Sequence, residues 1–146
     1  MSLTIEMTNI TEIQDSIIEE FSFFDDWTEK YKHIIEIGQE MPVLSDDHKI
    51  DENKVKGCQS TVWLHTYLNG ERLFFEADSD AAIVKGLVSL LVRIYSGQHP
   101  DVILNSDLYF IDKIEMRQHL SPNRSNGLAA MVKQMKFYAL AYKAKL

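Results

Sequence analysis

One cysteine in 146 residues leaves no internal disulfide to form, so packing alone must hold this chain together. That scarcity also suits a reducing cytoplasm, the expected location. Three prolines and six glycines are too few for a linker or a low-complexity tract, and no internal repeat is found. No apolar run approaches the length of a membrane span, and the start lacks the basic-then-apolar pattern of an export signal. Met1-Ser2-Leu3 reads as a cloned leader, and residues 1–7 are expected to be poorly ordered or of that origin. Basic charge is short as well. Of the 22 acidic side chains 14 fall in residues 1–60, against 5 of the 15 basic ones, within a net charge of −7. An acidic front half repels phosphate backbones, which excludes nucleic acid and favours a basic protein surface as partner.

What is present is a 45% hydrophobic composition, enough for one compact domain over 1–146. Thr11 followed by Gln14 has the form of a capping box and opens a predicted helix through about Phe23, with Ile10, Ile13, Ile17 and Phe21 on one face. Asp26 with Glu29 repeats the signal for a second helix, which Gly38 is expected to end. Residues 41–54 are polar and read as irregular. From Thr61 to Leu68 the period changes to two, with β-branched and aromatic residues alternating. Asn69-Gly70 reads as a hairpin turn, Arg72 to Ala77 as the returning strand, and Lys54 to Gly57 as a short third strand. Ser79 is expected to cap a helix running to about Tyr95. His99-Pro100-Asp101 starts a short helix, 108–116 is ambiguous, and Ser121-Pro122 opens a last helix reaching almost to Leu146. The expected fold class is α+β, a small antiparallel sheet of about three strands with helices packed on it.

Chemistry points first to Lys54-Val55-Lys56-Gly57-Cys58-Gln59-Ser60. Cys58 follows a glycine at a turn between extended segments, and the two lysines would favour its reactive thiolate. A free cysteine is also commonly a small buried hydrophobe, and spacing alone leaves both readings open. His33, His48, His65, His99 and His119 show no HExxH spacing and have no second cysteine to join, so no metal site is expected. Phosphate-binding loops are absent. Asp78-Ser79-Asp80 suits a helix start, and Arg124, a cation near the start of the last helix, opposes the dipole and is expected to pair with a carboxylate.

Four stretches together resemble the SufE family of sulfur-acceptor proteins. Gly57-Cys58-Gln59-Ser60 followed by Val62-Trp63-Leu64 is similar to its active-cysteine segment. Asp26-Trp27-Thr28-Glu29-Lys30-Tyr31 with Ile35-Glu36-Ile37-Gly38 and Met41-Pro42, then 77–87, then 119–128, agree in order and spacing. The resemblance spans roughly Phe21 to Met131. Departures lie in the loop 43–53 and the extended amino terminus, where partner choice is free to vary.

The resemblance implies a SufE/NifU (IscU-like) fold and a persulfide relay. Cys58 would take sulfane sulfur from a SufS-type or CsdA-type cysteine desulfurase, enhance its turnover, and pass the sulfur to an iron–sulfur scaffold complex. Pyridoxal phosphate would belong to the desulfurase, so the chain itself needs no cofactor and shows no stand-alone turnover. Gly57, Gln59 and Ser60 would position the loop, while Asp80 would lie near the desulfurase-facing surface and Arg124 near the cysteine. A monomer or weak homodimer is expected. A waiting persulfide needs shelter, so Cys58 should rest partly covered and its loop should swing out on docking. Two rivals are a cluster scaffold, which a single thiol serves poorly, and a cysteine-dependent hydrolase or transferase, which needs a base beside Cys58.

Overall fold

The computed structural model describes residues 3–146, with side chains from Asn9 onward. Of the expected leader, Met1 and Ser2 lie outside the described residues, and α1 (Leu3–Ser22) takes in the rest. Thr11 therefore sits inside this helix instead of opening it. Gln14 has a different task from capping. Its buried amide donates to the Asp107 carbonyl at 3.0 Å and accepts from the Phe110 N–H at 3.2 Å, so both ends of a costly buried group are satisfied.

The second helix, α2 (Trp27–Glu40), starts as expected, with the Asp26 carboxylate accepting from the Glu29 N–H at 2.9 Å. It does not stop at Gly38. That glycine instead faces Gly86 of α3 (Ala82–Tyr95), and the two helices cross almost backbone to backbone. A Cβ on Gly38 would lie 2.7 Å from the Gly86 nitrogen, and one on Gly86 would lie 2.0 Å from the Ile34 carbonyl oxygen. Close approach, not termination, explains the residue type.

Two strands, β1 (Val62–Asn69) and β2 (Arg72–Ser79), form an antiparallel hairpin whose last rung is Asn69 with Arg72. The turn is thus Gly70-Glu71, one residue later than expected, and only Gly70 takes a positive φ, 64°. Among the described residues the sheet has two strands, not three. The Lys54 segment makes a single bridge to Trp63, with the Val55 N–H bonded to the Val62 carbonyl at 2.8 Å. Gly57 then takes φ 89° and turns the chain out of line before a ladder can grow. Ser79 ends β2 and does not cap α3 directly. Its hydroxyl donates to the Thr61 carbonyl at 2.8 Å and accepts from the Ala81 N–H at 3.2 Å.

Strand alternation gives the hairpin one buried face, with Leu64, Leu73, Phe75 and Ala77 in the core and β2 packed against α3. The chain continues through α4 (Pro100–Asn105), α5 (Phe110–Lys113) and α6 (Met116–His119), which resolve the ambiguous stretch as two helical turns about Glu115 at φ 60°. The closing α7 (Pro122–Lys143) packs on α3 and α4, with Ser121 capping it by accepting from the Arg124 N–H at 3.3 Å. The architecture is α+β, as the sequence implied. No helix among the described residues is long and apolar enough to cross a membrane.

Candidate functional site

Where the Gly57 turn leads into β1, the start of α7 stands opposite it and a cleft of about 310 Å³ opens between them. Cys58, Gln59 and Ser60 form one wall, and Ser121, Asn123 and Arg124 form the other. Val84 of α3 and Met131 of α7, both buried, make an apolar floor. Cys58 is half-buried and packs on the hydrophobic core, as a sheltered thiol should. Its S–H donates to the Gly127 carbonyl, with sulfur and oxygen 3.5 Å apart. A Cβ on Gly127 would lie 3.7 Å from that sulfur, an ordinary contact.

The electrostatics differ from expectation. Burial pushes the Cys58 thiol up, so it rests protonated at neutral pH. The two lysines do not reverse this. Lys54 turns to Asp51, with Nζ 3.0 Å from the carboxylate, and Lys56 is exposed outside the cleft lining. Arg124 likewise makes no ion pair among the described residues. Arg124 lines the cleft and is exposed, so its cation can meet an anion brought from outside.

Cys58, Gln59, Ser60 and Arg124 are thus brought together. Gly57 is not part of the lining. It backs the loop against α7, where a Cβ would sit 3.3 Å from the Ala130 methyl, and its φ of 89° disfavours any other residue. Asp80 is not in the cleft either. Its exposed carboxylate accepts from the Thr61 N–H at 3.0 Å, and its own N–H reaches the Thr61 carbonyl at 3.3 Å, tying down the far end of the cysteine loop. Ser121, Asn123 and Gly127 also line the cleft; they fall in the 119–128 stretch that carries the resemblance, but were not named there as site residues. The signal was present in the Ser-Pro cap, but nothing local says which loop that cap faces.

No histidine or carboxylate lines the cleft among the described residues. His33 meets Glu20 at 2.6 Å, His99 caps α4, and His119 stacks on Trp27. His48 stacks on His65, whose imidazole burial and the adjacent His48 push below its usual range against the pull of Glu76. The geometry therefore gives Cys58 no general base of its own and offers one thiol where a cluster needs several. The cleft can hold a nucleophilic sulfur, present an anion contact and exclude part of the solvent.

The family SufE, described as an Fe-S metabolism associated domain, matches residues 15–139. An uncharacterized SufE-like protein of Rhizobium etli is 43% identical over 127 residues, covering 84% of this chain and 86% of that protein. Another from Rhizobium meliloti is 41% identical over 127 residues, covering 84% and 91%. The solution structure of a hypothetical protein from Thermus thermophilus superposes with a TM-score of 0.72 at 18% identity, over 88% of this chain and 94% of that one. This last likeness concerns the fold alone.

Proposed function

The chain belongs to the SufE family, and on that premise we propose that Cys58 is a sulfur acceptor for iron–sulfur cluster assembly, loaded by a cysteine desulfurase. The observation that carries the reading is the half-buried thiol of Cys58 at a cleft that contains a cation and no base.

The desulfurase, a pyridoxal-phosphate enzyme of the SufS or CsdA type, presents a persulfide on its own cysteine. Cys58 loses its proton and attacks the terminal sulfur. A bond forms between Sγ and that sulfur, the donor's sulfur–sulfur bond breaks, and the donor cysteine leaves as thiolate to be reprotonated. No net oxidation occurs. Because the resting thiol is protonated and donates to the Gly127 carbonyl, deprotonation requires leaving that contact. Docking supplies the occasion: the loop pivots at Gly57 and carries Cys58 out of the cleft into the desulfurase site. Removing the acceptor's delay enhances desulfurase turnover, and the loaded loop then returns. With no second cysteine in the chain, the persulfide has no internal thiol to resolve it, so it persists until a scaffold complex in the cytoplasm takes the sulfur. Asp80 and Arg124, at the two flanks of the loop, form the docking surface.

The test is intact mass spectrometry after incubation with a desulfurase, pyridoxal phosphate and L-cysteine. The expected result is one added sulfur that reductant removes and that Cys58→Ser lacks. No added sulfur with several competent desulfurases, while Cys58 still alkylates, would overturn the assignment.

A further inference from the structure

The hairpin face turned away from α3 carries a second cluster that sulfur transfer does not use. Strand register sets His65 directly opposite Glu76 on that face, with the His65 Nε2 3.8 Å from a Glu76 carboxylate oxygen. The segment 43–53 folds back over the same face. Lys49 anchors it, with Nζ 3.0 Å from the Asp78 carboxylate, and the Asn53 amide donates to the His48 carbonyl at 2.8 Å. These two ties hold His48 above the sheet, where its ring stacks on His65 with centroids 3.5 Å apart and planes 9° from parallel. One ligand atom from each of His48, His65 and Glu76 lies within 4.8 Å of the other two.

We propose that His48, His65 and Glu76 form a binding site for a borderline divalent transition-metal ion, with zinc as its representative. Two imidazole nitrogens and one carboxylate oxygen are a donor set for zinc and its late first-row neighbours. Magnesium and calcium call for oxygen ligands and are disfavoured. The carboxylate offsets part of the ion's charge, and the exposure of Glu76 leaves room for water to complete the shell. Ligands held about 2.0–2.1 Å from zinc lie about 3.4 Å from each other in a tetrahedral arrangement. The His65–Glu76 pair is already near that spacing. The stacked rings, by contrast, point their lone pairs side by side, so His48 must fan outward from His65 to converge on the ion. It can do so because it sits on a three-residue 3-10 turn, Asp46–His48, at the surface. Binding would then staple the segment 43–53 to the hairpin. No thiol takes part, and the site does not depend on the role given to Cys58.

The experiment uses the full chain, freed of metal by a chelator and titrated with zinc chloride against a chromophoric zinc indicator. The expected result is one zinc bound with a dissociation constant of about micromolar, equally in wild type and Cys58→Ser. Outer-shell partners alone are worth about 10–100-fold in metal affinity, so His48→Gln and Glu76→Gln should each weaken binding at least tenfold. His48 is half-buried on a surface turn, and His48→Gln is expected to keep the fold, which far-UV circular dichroism verifies. Cobalt(II) should give visible d–d bands without a thiolate charge-transfer band. Binding no tighter than millimolar would overturn the proposal. So would binding abolished by Cys58→Ser, or binding indifferent to both ligand variants.

Discussion

The Cys58 sulfur is kept quiet by what surrounds it. Burial raises the thiol above its ordinary value of 9.0, which lowers the thiolate fraction at neutral pH. The pH profile of its alkylation should therefore have a midpoint above that of a free cysteine, measured with iodoacetamide from pH 6 to 10. A midpoint below it would mean that the cleft activates the sulfur at rest. Arg124→Ala should lower sulfur transfer from the desulfurase by roughly tenfold, the scale of one lost hydrogen bond to a charged group. Its melting temperature should stay where it was, since the side chain is exposed and makes no ion pair among the described residues. At this scale the sequence was a partial guide. Gly57-Cys58 was legible because a glycine before a lone cysteine, ahead of a β-rich run, marks a turn. The effect of Lys54 was not legible, because charge acts through direction, and nothing in the spacing says that Lys54 faces Asp51.

Among the elements, the crossing of α2 and α3 is the least forgiving contact. Gly86→Ala would drive a methyl into the Ile34 carbonyl, and thermal or urea unfolding should show a loss of about 3 kcal/mol. Gly127→Ala makes the contrast. In the interior of α7 it has room, so it should stabilise by about 0.5–1 kcal/mol while adding a methyl beside the Cys58 sulfur. If both variants lost stability alike, the distinction between close approach and spare space would fail. Element types were legible where the apolar period was clear, in α2, α3 and both strands, and in α7 from its Ser121-Pro122 start. Boundaries were not. Gly38 looked like a stop because glycine usually marks one, and Thr11 with Gln14 looked like a start because the pairing is common there. In each case the deciding partner lies far along the chain, Gly86 for one, Asp107 and Phe110 for the other.

For the molecule as a whole, two carboxylates couple stability to acid. Burial alone would raise Asp78, but hydrogen bonds from Lys49, the Ser79 N–H and Lys85 bring it below its ordinary value of 3.8. Burial opposes and His33 with Arg93 prevail in the same way at Glu20, ordinarily 4.5. A carboxyl lowered on folding contributes stability that is fully present above its unfolded value and lost as pH falls through the folded one. The melting temperature should hold at neutral pH and fall below about pH 4, with a shallower fall in Asp78→Asn. An unchanged profile in that variant would remove Asp78 from the account. Of these two carboxylates only Glu20 belongs to the acidic first 60 residues, and its cation Arg93 comes from the later part of the chain.

The Gln14 clamp has a consequence for how the chain is made. Its partners at Asp107 and Phe110 leave the ribosome more than ninety residues later, after α3 and α4, which also pack on α1. During that interval Ile10, Ile17 and Phe21 have no completed core to enter. Closure of this domain is therefore a late event in synthesis, and the nascent amino-terminal helix is the segment on which a chaperone would find its first hold.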